Sequence, residues 1–167
     1  MKYAITGHTQ GIGLRLFERL DSIGFSKSTG YDITNKNDRH RIVNNSVNCD
    51  VFINNAHSGF GSTYMLVDII QAWKNNPEKK IINVGSKITE LITPYEKLVF
   101  YRPELMEYHA EKLSLKSLHF QIVSTVKCQM SYKWFGYVGT KKILEKYPHF
   151  TSTDYITEDT AVDIILS

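Results

Sequence analysis

The chain has 167 residues, with 42% hydrophobic, 22% charged and 12% aromatic side chains. That is the size and make-up of one domain, and it excludes a disordered chain, a collagen-like repeat and a coiled coil. The 20 Lys plus Arg against 17 Asp plus Glu leave a formal charge of +3, too small and too dispersed to argue for a nucleic-acid or membrane partner. Cys49 and Cys128 form no CxxC spacing and no disulfide framework, so a reducing cytoplasm is the expected compartment. Abundant Asn, Lys and Ile suit an A/T-rich genome; for a viral source the compartment would be the host cytoplasm. The stretch from Met1 reaches Gly7 before any apolar run long enough for a signal peptide. No window approaches the ~20 apolar residues of a membrane span. Residues 1–167 are therefore expected to form a single soluble domain.

In chain order, Tyr3–Thr6 reads as a short apolar strand running into a glycine-rich turn from Gly7 to Gly13. Ile12, Leu16, Leu20 and Ile23 fall on one face of a 3.6-residue period, which predicts a helix with Gly24 placed to stop it. Ser26–Tyr31 is expected as a second strand, and Asp32–Asn35 as turn and cap residues before a polar helix over 36–46. Asp50–Asn54 reads as a buried strand, and Leu66, Ile69, Ile70 and Trp73 mark the inner face of a helix ending before Pro77. Ile81–Val84 is the next strand, Pro103–Leu118 a helix with proline in its first turn, and Phe120–Val126 another strand. Residues 127–150 break into aromatic and basic side chains with a short helical piece at 141–147. Thr157 is placed to cap a terminal helix carrying Val162, Ile165 and Leu166, with Glu158 and Asp159 complementing its dipole. Strands alternating with helices, without internal repeat or linker, point to an α/β fold. It would be one doubly wound, Rossmann-like parallel sheet of about six strands, binding ligands at the carboxyl ends of those strands.

Thr6-Gly7-His8-Thr9-Gln10-Gly11-Ile12-Gly13 stands between a predicted strand and a predicted helix. There Gly7 permits a tight turn, Gly11 lets backbone approach a pyrophosphate, and Gly13 allows close packing. The free N–H groups and dipole of the helix favour the anion. The alternative is an ordinary glycine-rich turn. Further on, Tyr108 and Lys112 lie four residues apart, on one helical face. A free tyrosine, with a pKa near ~10, is a poor acid or base at neutral pH, and a neighbouring ammonium favours its phenolate. The plainer reading of that pair is a half-buried tyrosine beside a surface lysine.

The spacing Gly-x-x-x-Gly-x-Gly resembles the short-chain dehydrogenase/reductase family, and three further segments carry the same resemblance in order. Asn54-Asn55-Ala56-His57 resembles that family's Asn-Asn-Ala-Gly, which steadies the sheet and lines the cofactor cleft, with His57 in place of the glycine. Asn83-Val84-Gly85-Ser86 resembles the strand end that delivers its serine, and Tyr108-His109-Ala110-Glu111-Lys112 matches its Tyr-x-x-x-Lys. The resemblance implies hydride transfer between a nicotinamide cofactor and a small carbonyl or alcohol. Tyr108 would exchange the proton, Ser86 orient the substrate oxygen, and Lys112 hold the nicotinamide ribose and tune Tyr108. It implies a cofactor site at Thr6, Gly7, Thr9, Gln10, Gly11, Ile12, Gly13, Asp32, Asn54, Asn55 and Ala56, shared with Tyr108 and Lys112. Gly136-Tyr137-Val138-Gly139-Thr140 resembles a later segment whose threonine, here Thr140, would meet the carboxamide. It also implies a homodimer paired through the helices at 66–73 and 103–118.

The sequence departs from the family at several points. No asparagine lies near Phe60–Ser62, where the family's proton relay would place one. Only about 18 residues separate Tyr31 from Asp50, so one helix and one strand are missing; the family's Pro-Gly is replaced by Lys127-Cys128-Gln129, and its last strand and tail are absent. Asp32 would accept a ribose hydroxyl at the end of the second strand, with a slight lean to NAD, or contact adenine. Arg15, Lys27, Arg39 and Arg41 are the basic side chains available to NADP. The six histidines make no His-Glu-x-x-His or comparable cluster, so no metal is expected. His8 and His57 fall at the cleft or are ordinary loop histidines. Tyr132, Trp134, Phe135 and Tyr137 close over a flat or apolar substrate, or else build core or a subunit contact. Two other readings stand beside the oxidoreductase. One is a nucleotide-sugar reductase or epimerase, suggested by Tyr31-Asp32-Ile33-Thr34. The other is a dinucleotide-binding module without turnover, acting as sensor or assembly partner.

Overall fold

The computed structural model describes residues 1–90, 103–137 and 155–167. Strands β1 (Tyr3–Thr6), β2 (Ser22–Phe25), β3 (Val51–Asn54), β4 (Lys80–Val84) and β5 (Gln129–Lys133) form one wholly parallel sheet in the order β2-β1-β3-β4-β5. Parallel neighbours need crossovers, which helices supply. These are α1 (Gly11–Arg19), α2 (Lys36–Asn45), α3 (Gly61–Trp73) and α4 (Pro103–Ile122), while α5 (Glu158–Leu166) follows the last strand.

Side chains alternate across the strands, and the alternation sorts them into two cores. Ala4, Phe52 and Ile81 pack with Ile42 of α2, Met65, Leu66 and Ile69 of α3, and Leu115 of α4. Ile5, Val51, Ile53, Ile82 and Val84 pack on the opposite face with Ile12 and Leu16 of α1 and Ala161, Val162 and Ile165 of α5. The sheet is thus doubly wound. From β1 the chain moves outward to β2 and then crosses back to β3 on the other side, so the loops leaving β1 and β3 diverge around a crevice, the usual ligand position in such sheets.

Three expectations are corrected. The segment Ser26–Tyr31 is not a strand; β2 comes earlier, at Ser22–Phe25, and α1 stops at Arg19. Ile23 pairs with Ala4 in the sheet, and Gly24 is a close-approach residue rather than a helix stop, because a Cβ there would overlap the His8 ring. After β2, Ser26 N donates to Thr29 Oγ1 (3.1 Å) and Thr29 Oγ1 donates to Ser26 O (3.0 Å), local bonds that satisfy a one-turn helix at Lys27–Thr29 instead of a sheet ladder. The segment Phe120–Val126 is not a strand either. Leu118 and Ile122, one helical turn apart, both pack on the core, so α4 runs on to Ile122 and the strand begins at Gln129. Among the described residues the main sheet has five strands, beside the expectation of about six. A separate parallel pair joins β6 (Gly136–Tyr137) to β7 (Tyr155–Ile156). The helical piece expected at 141–147 lies outside the described residues. Both expected caps are present: Asp38 N donates to Asn35 Oδ1 (3.1 Å) and Thr160 N to Thr157 Oγ1 (3.2 Å). Among the described residues no helix is long and apolar enough to cross a membrane.

Arg39 ties α2 to α3. It is 8% exposed; its Nε donates to Asp68 Oδ2 (2.7 Å) and its Nη1 to Ile33 O (3.0 Å). Removing the carboxylate charge strands a nearly buried guanidinium. Asp68→Asn is expected to cost about 3 kcal/mol in urea unfolding, and pairing Arg39→Met with Asp68→Leu should restore much of that loss.

Candidate active site

The glycine loop leaves β1 at the crevice. Gly7 (φ 73) and Gly11 (φ 57) occupy left-handed backbone conformations that other residues adopt only with strain. Gly13 faces Gly7 so closely that a Cβ would run into the Gly7 carbonyl. Asn55 closes the same knot: its Nδ2 donates to Thr6 O (3.2 Å) and Gly7 O (3.3 Å). Thr6 Oγ1 accepts from the backbone N–H groups of Asn55 and Ala56, each at 3.1 Å. Five of the expected cofactor residues, Thr6, Gly7, Gly13, Asn55 and Ala56, are thus bound into one structure. Gln10 occupies the N-cap of α1 without a side-chain bond to the first turn, and that turn carries no acidic residue. Its N–H groups and the dipole suit a diphosphate. Ile12 is buried in the core, so only its backbone N–H can face such an anion.

The segment after β2 differs from expectation. β2 ends at Phe25, and Asp32 arrives only after the one-turn helix; it is not at the strand end. Its carboxylate accepts from Thr34 N (2.9 Å) and Thr34 Oγ1 (2.6 Å), which hold its pKa below the ordinary value, with Lys27 adding to the effect. Ser26, Lys27 and Ser28 come directly after β2 in its place. Ser26 Oγ accepts from His8 N (2.9 Å) and meets His8 Nδ1 (3.0 Å), while Ser28 Oγ donates to Thr9 Oγ1 of the glycine loop (3.3 Å). Of the four basic candidates, Arg15 is paired with Glu158, Arg39 with Asp68 and Arg41 with Asp38. Lys27 keeps a side chain 79% exposed and lies 3.8 Å from Asp32.

Ser86, Tyr108 and Lys112 come together from β4 and α4. Ser86 lies just past β4, is 8% exposed, and its Oγ accepts from Ile88 N (3.2 Å). Ser86 acts on the Tyr108 phenol from the end of β4. Lys112 is buried, its Nζ donating to Val84 O (3.5 Å) and lying 5.8 Å from the centre of the Tyr108 ring. The electrostatics run against the simple expectation of a lowered tyrosine pKa. Burial pushes the Tyr108 phenol up; the Ser86 hydroxyl opposes this, and the Glu111 charge adds to it. Burial also pushes Lys112 down, partly countered by Glu111. Desolvation disfavours both charged forms, so the phenol is held as a neutral proton donor.

Glu111, which the motifs did not single out as functional, sits beside this group together with His57, which was expected at the cleft or as an ordinary loop histidine. Glu111 is 2% exposed; its Oε1 accepts from Ser62 Oγ (3.2 Å) and its Oε2 meets His57 Nδ1 (3.0 Å). The His57 ring lies edge-on to Tyr108, with centres 5.0 Å apart, and links the Asn55–Ala56 turn to the phenol. Glu111 was findable, since it stands one helical turn from Tyr108 inside the Tyr-x-x-x-Lys segment. Asn54, expected in the cleft, is buried in a polar chain instead. Its Nδ2 donates to Ser62 O (2.9 Å) and Asn83 Oδ1 (3.0 Å), and Asn83 Nδ2 meets His119 Nδ1 (3.0 Å). Of the four aromatics, Tyr132 and Phe135 are buried. Trp134 is exposed, donating Nε1–H to Glu90 Oε1 (2.7 Å) and stacking on Tyr132. Burial pushes the Tyr132 phenol up to about 12. Thr140 lies outside the described residues.

No protein-family model and no curated protein sequence matches the chain. Its fold matches solved short-chain dehydrogenases/reductases. The 3-alpha-hydroxysteroid dehydrogenase from Pseudomonas sp. B-0831, complexed with NADH, superposes with a TM-score of 0.72 at 14% identity over 99% of this chain and 88% of that one. The gluconate 5-dehydrogenase from Burkholderia cenocepacia J2315, in complex with NADP and tartrate, gives 0.63 at 14% identity over 97% and 85%. A short-chain dehydrogenase from Sphingobium yanoikuyae, in complex with NADPH, gives 0.63 at 15% over 99% and 82%.

Burial lowers the pKa of His8, His109 and His119 below the ordinary value of 6.5. Once the pH falls below that value the unfolded chain binds more protons than the native one, so stability declines. The thermal unfolding temperature should therefore drop between about pH 7 and pH 5, and His119→Gln should flatten that drop even where it lowers stability at pH 7.

Proposed function

We propose that residues 1–167 act as one NAD(P)-binding unit of the short-chain dehydrogenase/reductase type that reduces a small carbonyl or oxidises the matching alcohol. The observation that carries this reading is the meeting of Ser86, Tyr108 and buried Lys112 at the strand ends, joined through His57 and Ala56 to the glycine loop. The solved structures of the same fold that contain NADH, NADP or NADPH support a nicotinamide dinucleotide as the group this loop holds.

When bound, the dinucleotide would supply or accept the hydride. The chain's own residues do the rest. The glycine loop and the first turn of α1 bind the diphosphate. Ser86 donates to the substrate oxygen and fixes its direction, and Tyr108 gives that oxygen its proton. The Lys112 ammonium limits the electrostatic cost of the phenolate left behind. Because burial keeps the phenol protonated, the centre suits carbonyl reduction at neutral pH.

Cofactor choice is set at the end of β2. The lean to NAD required an aspartate there, and Ser26, Lys27 and Ser28 occupy the place instead. A cation with neighbouring hydroxyls favours the 2′-phosphate of NADP. Exposed Phe60, at the N-cap of α3, and Tyr64 and Val67 on the helix offer a face for a second copy of the chain.

Two measurements test the proposal. A screen of NAD(P)H oxidation over ketones, aldehydes and nucleotide sugars should find turnover, and Tyr108→Phe should lower kcat by about 10²–10⁴-fold while dinucleotide titration stays unchanged. Tight dinucleotide binding with no turnover on any substrate would make the chain a binding module instead. Separately, Lys27→Ala should weaken NADPH binding several-fold and leave NADH binding nearly unaltered; equal losses for both would remove the NADP assignment.

A further inference from the structure

Glu111 is a charged group that the proposed chemistry does not use, and burying it is costly unless its charge is satisfied. The carboxylate is 2% exposed, yet both oxygens are engaged by residues from other elements. Ser62 of α3 donates to Oε1 at 3.2 Å, and His57, from the turn after β3, holds Oε2 at 3.0 Å. The His57 side chain is 51% exposed, so it carries the pair to the surface. Within α4, Glu111 stands between Tyr108, one turn back, and Lys112, the next residue. Its charge acts on both, against the phenolate and in favour of the ammonium.

Among the described residues, few groups surround the phenol. Ser86, just past β4, acts on it, His57 packs on its ring, and Lys112 lies 5.8 Å from the ring centre. Tyr132 of β5 is within electrostatic range. Among these, Glu111 is the sole carboxylate that the described residues bring to Tyr108. A negative charge fixed beside an ionisable phenol opposes its ionisation. Ser62 and His57 fix this one where a free side chain would swing away.

We propose that Glu111, held by Ser62 and His57, is a positioning residue that keeps the proton on Tyr108 and so biases the centre toward reduction of a carbonyl. The inference rests on the assignment of Tyr108 as the proton donor. Through each turnover Glu111 transfers nothing; the proton leaves Tyr108 for the substrate oxygen and is replaced from solvent.

The test is a pH titration of the protein labelled with a carbon isotope at the tyrosine ζ positions, with the Tyr108 resonance assigned by its loss in Tyr108→Phe. In Glu111→Gln, which keeps the shape and removes the charge, Tyr108 should ionise at lower pH than in the wild type. The alkaline fall of the reduction rate should move with it, and the ratio of oxidation to reduction at neutral pH should rise several-fold. His57→Gln, whose amide still donates to the carboxylate, should leave the Tyr108 titration in place, which separates lost charge from a loosened pocket. Should Glu111→Gln not fold, Glu111→Asp draws the charge back by one methylene and should move the titration the same way, by less. A Tyr108 titration superimposable on that of the wild type in the folded variant overturns the role of Glu111. Wild-type turnover by Tyr108→Phe overturns instead the proton-donor assignment beneath it, and the resonance titration answers the Glu111 question without a substrate.

Discussion

Helix α1 meets the end of β1 through bare backbone. Gly13 has no Cβ to set against the Gly7 carbonyl, and the Asn55 amide caps that carbonyl together with the one before it. This contact brings three separate stretches of chain to one point: the loop after β1, the first turn of α1 and the turn after β3. It also puts the open N–H groups of α1 at the crevice. Because Asn55 is followed directly by Ala56 and His57, the same knot sets where the imidazole falls against Tyr108. A shift of the helix by one carbon atom would disturb the glycine loop and the surroundings of Tyr108 together.

Beyond the knot, the polar interior is organised in layers. Asn54, Asn83 and His119 link β3, β4 and α4 through side-chain hydrogen bonds, while Ser62 joins this network by its carbonyl and the Glu111 carboxylate by its hydroxyl. One buried atom of the network, Asn54 Oδ1, is left without a hydrogen bond among the described residues. The bonds that are made fix the relative heights of β3, β4 and α4, and hence of Ser86, Tyr108 and Lys112. The site is electrostatically conservative: burial opposes charge on the phenol and on the amine alike.

Much of this arrangement was legible in the sequence. The glycine spacing, the Asn-Asn-Ala segment and the Tyr-x-x-x-Lys pair depend on local backbone geometry and helical period, which short windows carry. The errors share one cause. Ile23 and Gly24 fit the end of a helical period equally well, and only pairing with β1 and the crowding of His8 over Gly24 decide for the strand. Ser26–Thr29 looks extended until its side chains are seen bonding their own backbone. Phe120 and Ile122 are β-prone residues in a helix that tertiary packing prolongs. Asp32 was assigned to a strand end because that strand was set too late. The roles of Asn54, Glu111 and His119 required three dimensions, since each is defined by a partner 29 to 54 residues away in the chain.

The pairing of the first and fifth helices has an implication for biosynthesis. Arg15 and Arg19 of α1 reach Glu158 and Asp163 of α5, and Ile12 and Leu16 share their core with Ala161, Val162 and Ile165. Translation delivers the N-terminal half first, so the oily side of α1 emerges from the ribosome long before its cover is made. Until residue 158 and beyond have left the exit tunnel, that nascent surface depends on chaperones or on speed to escape aggregation.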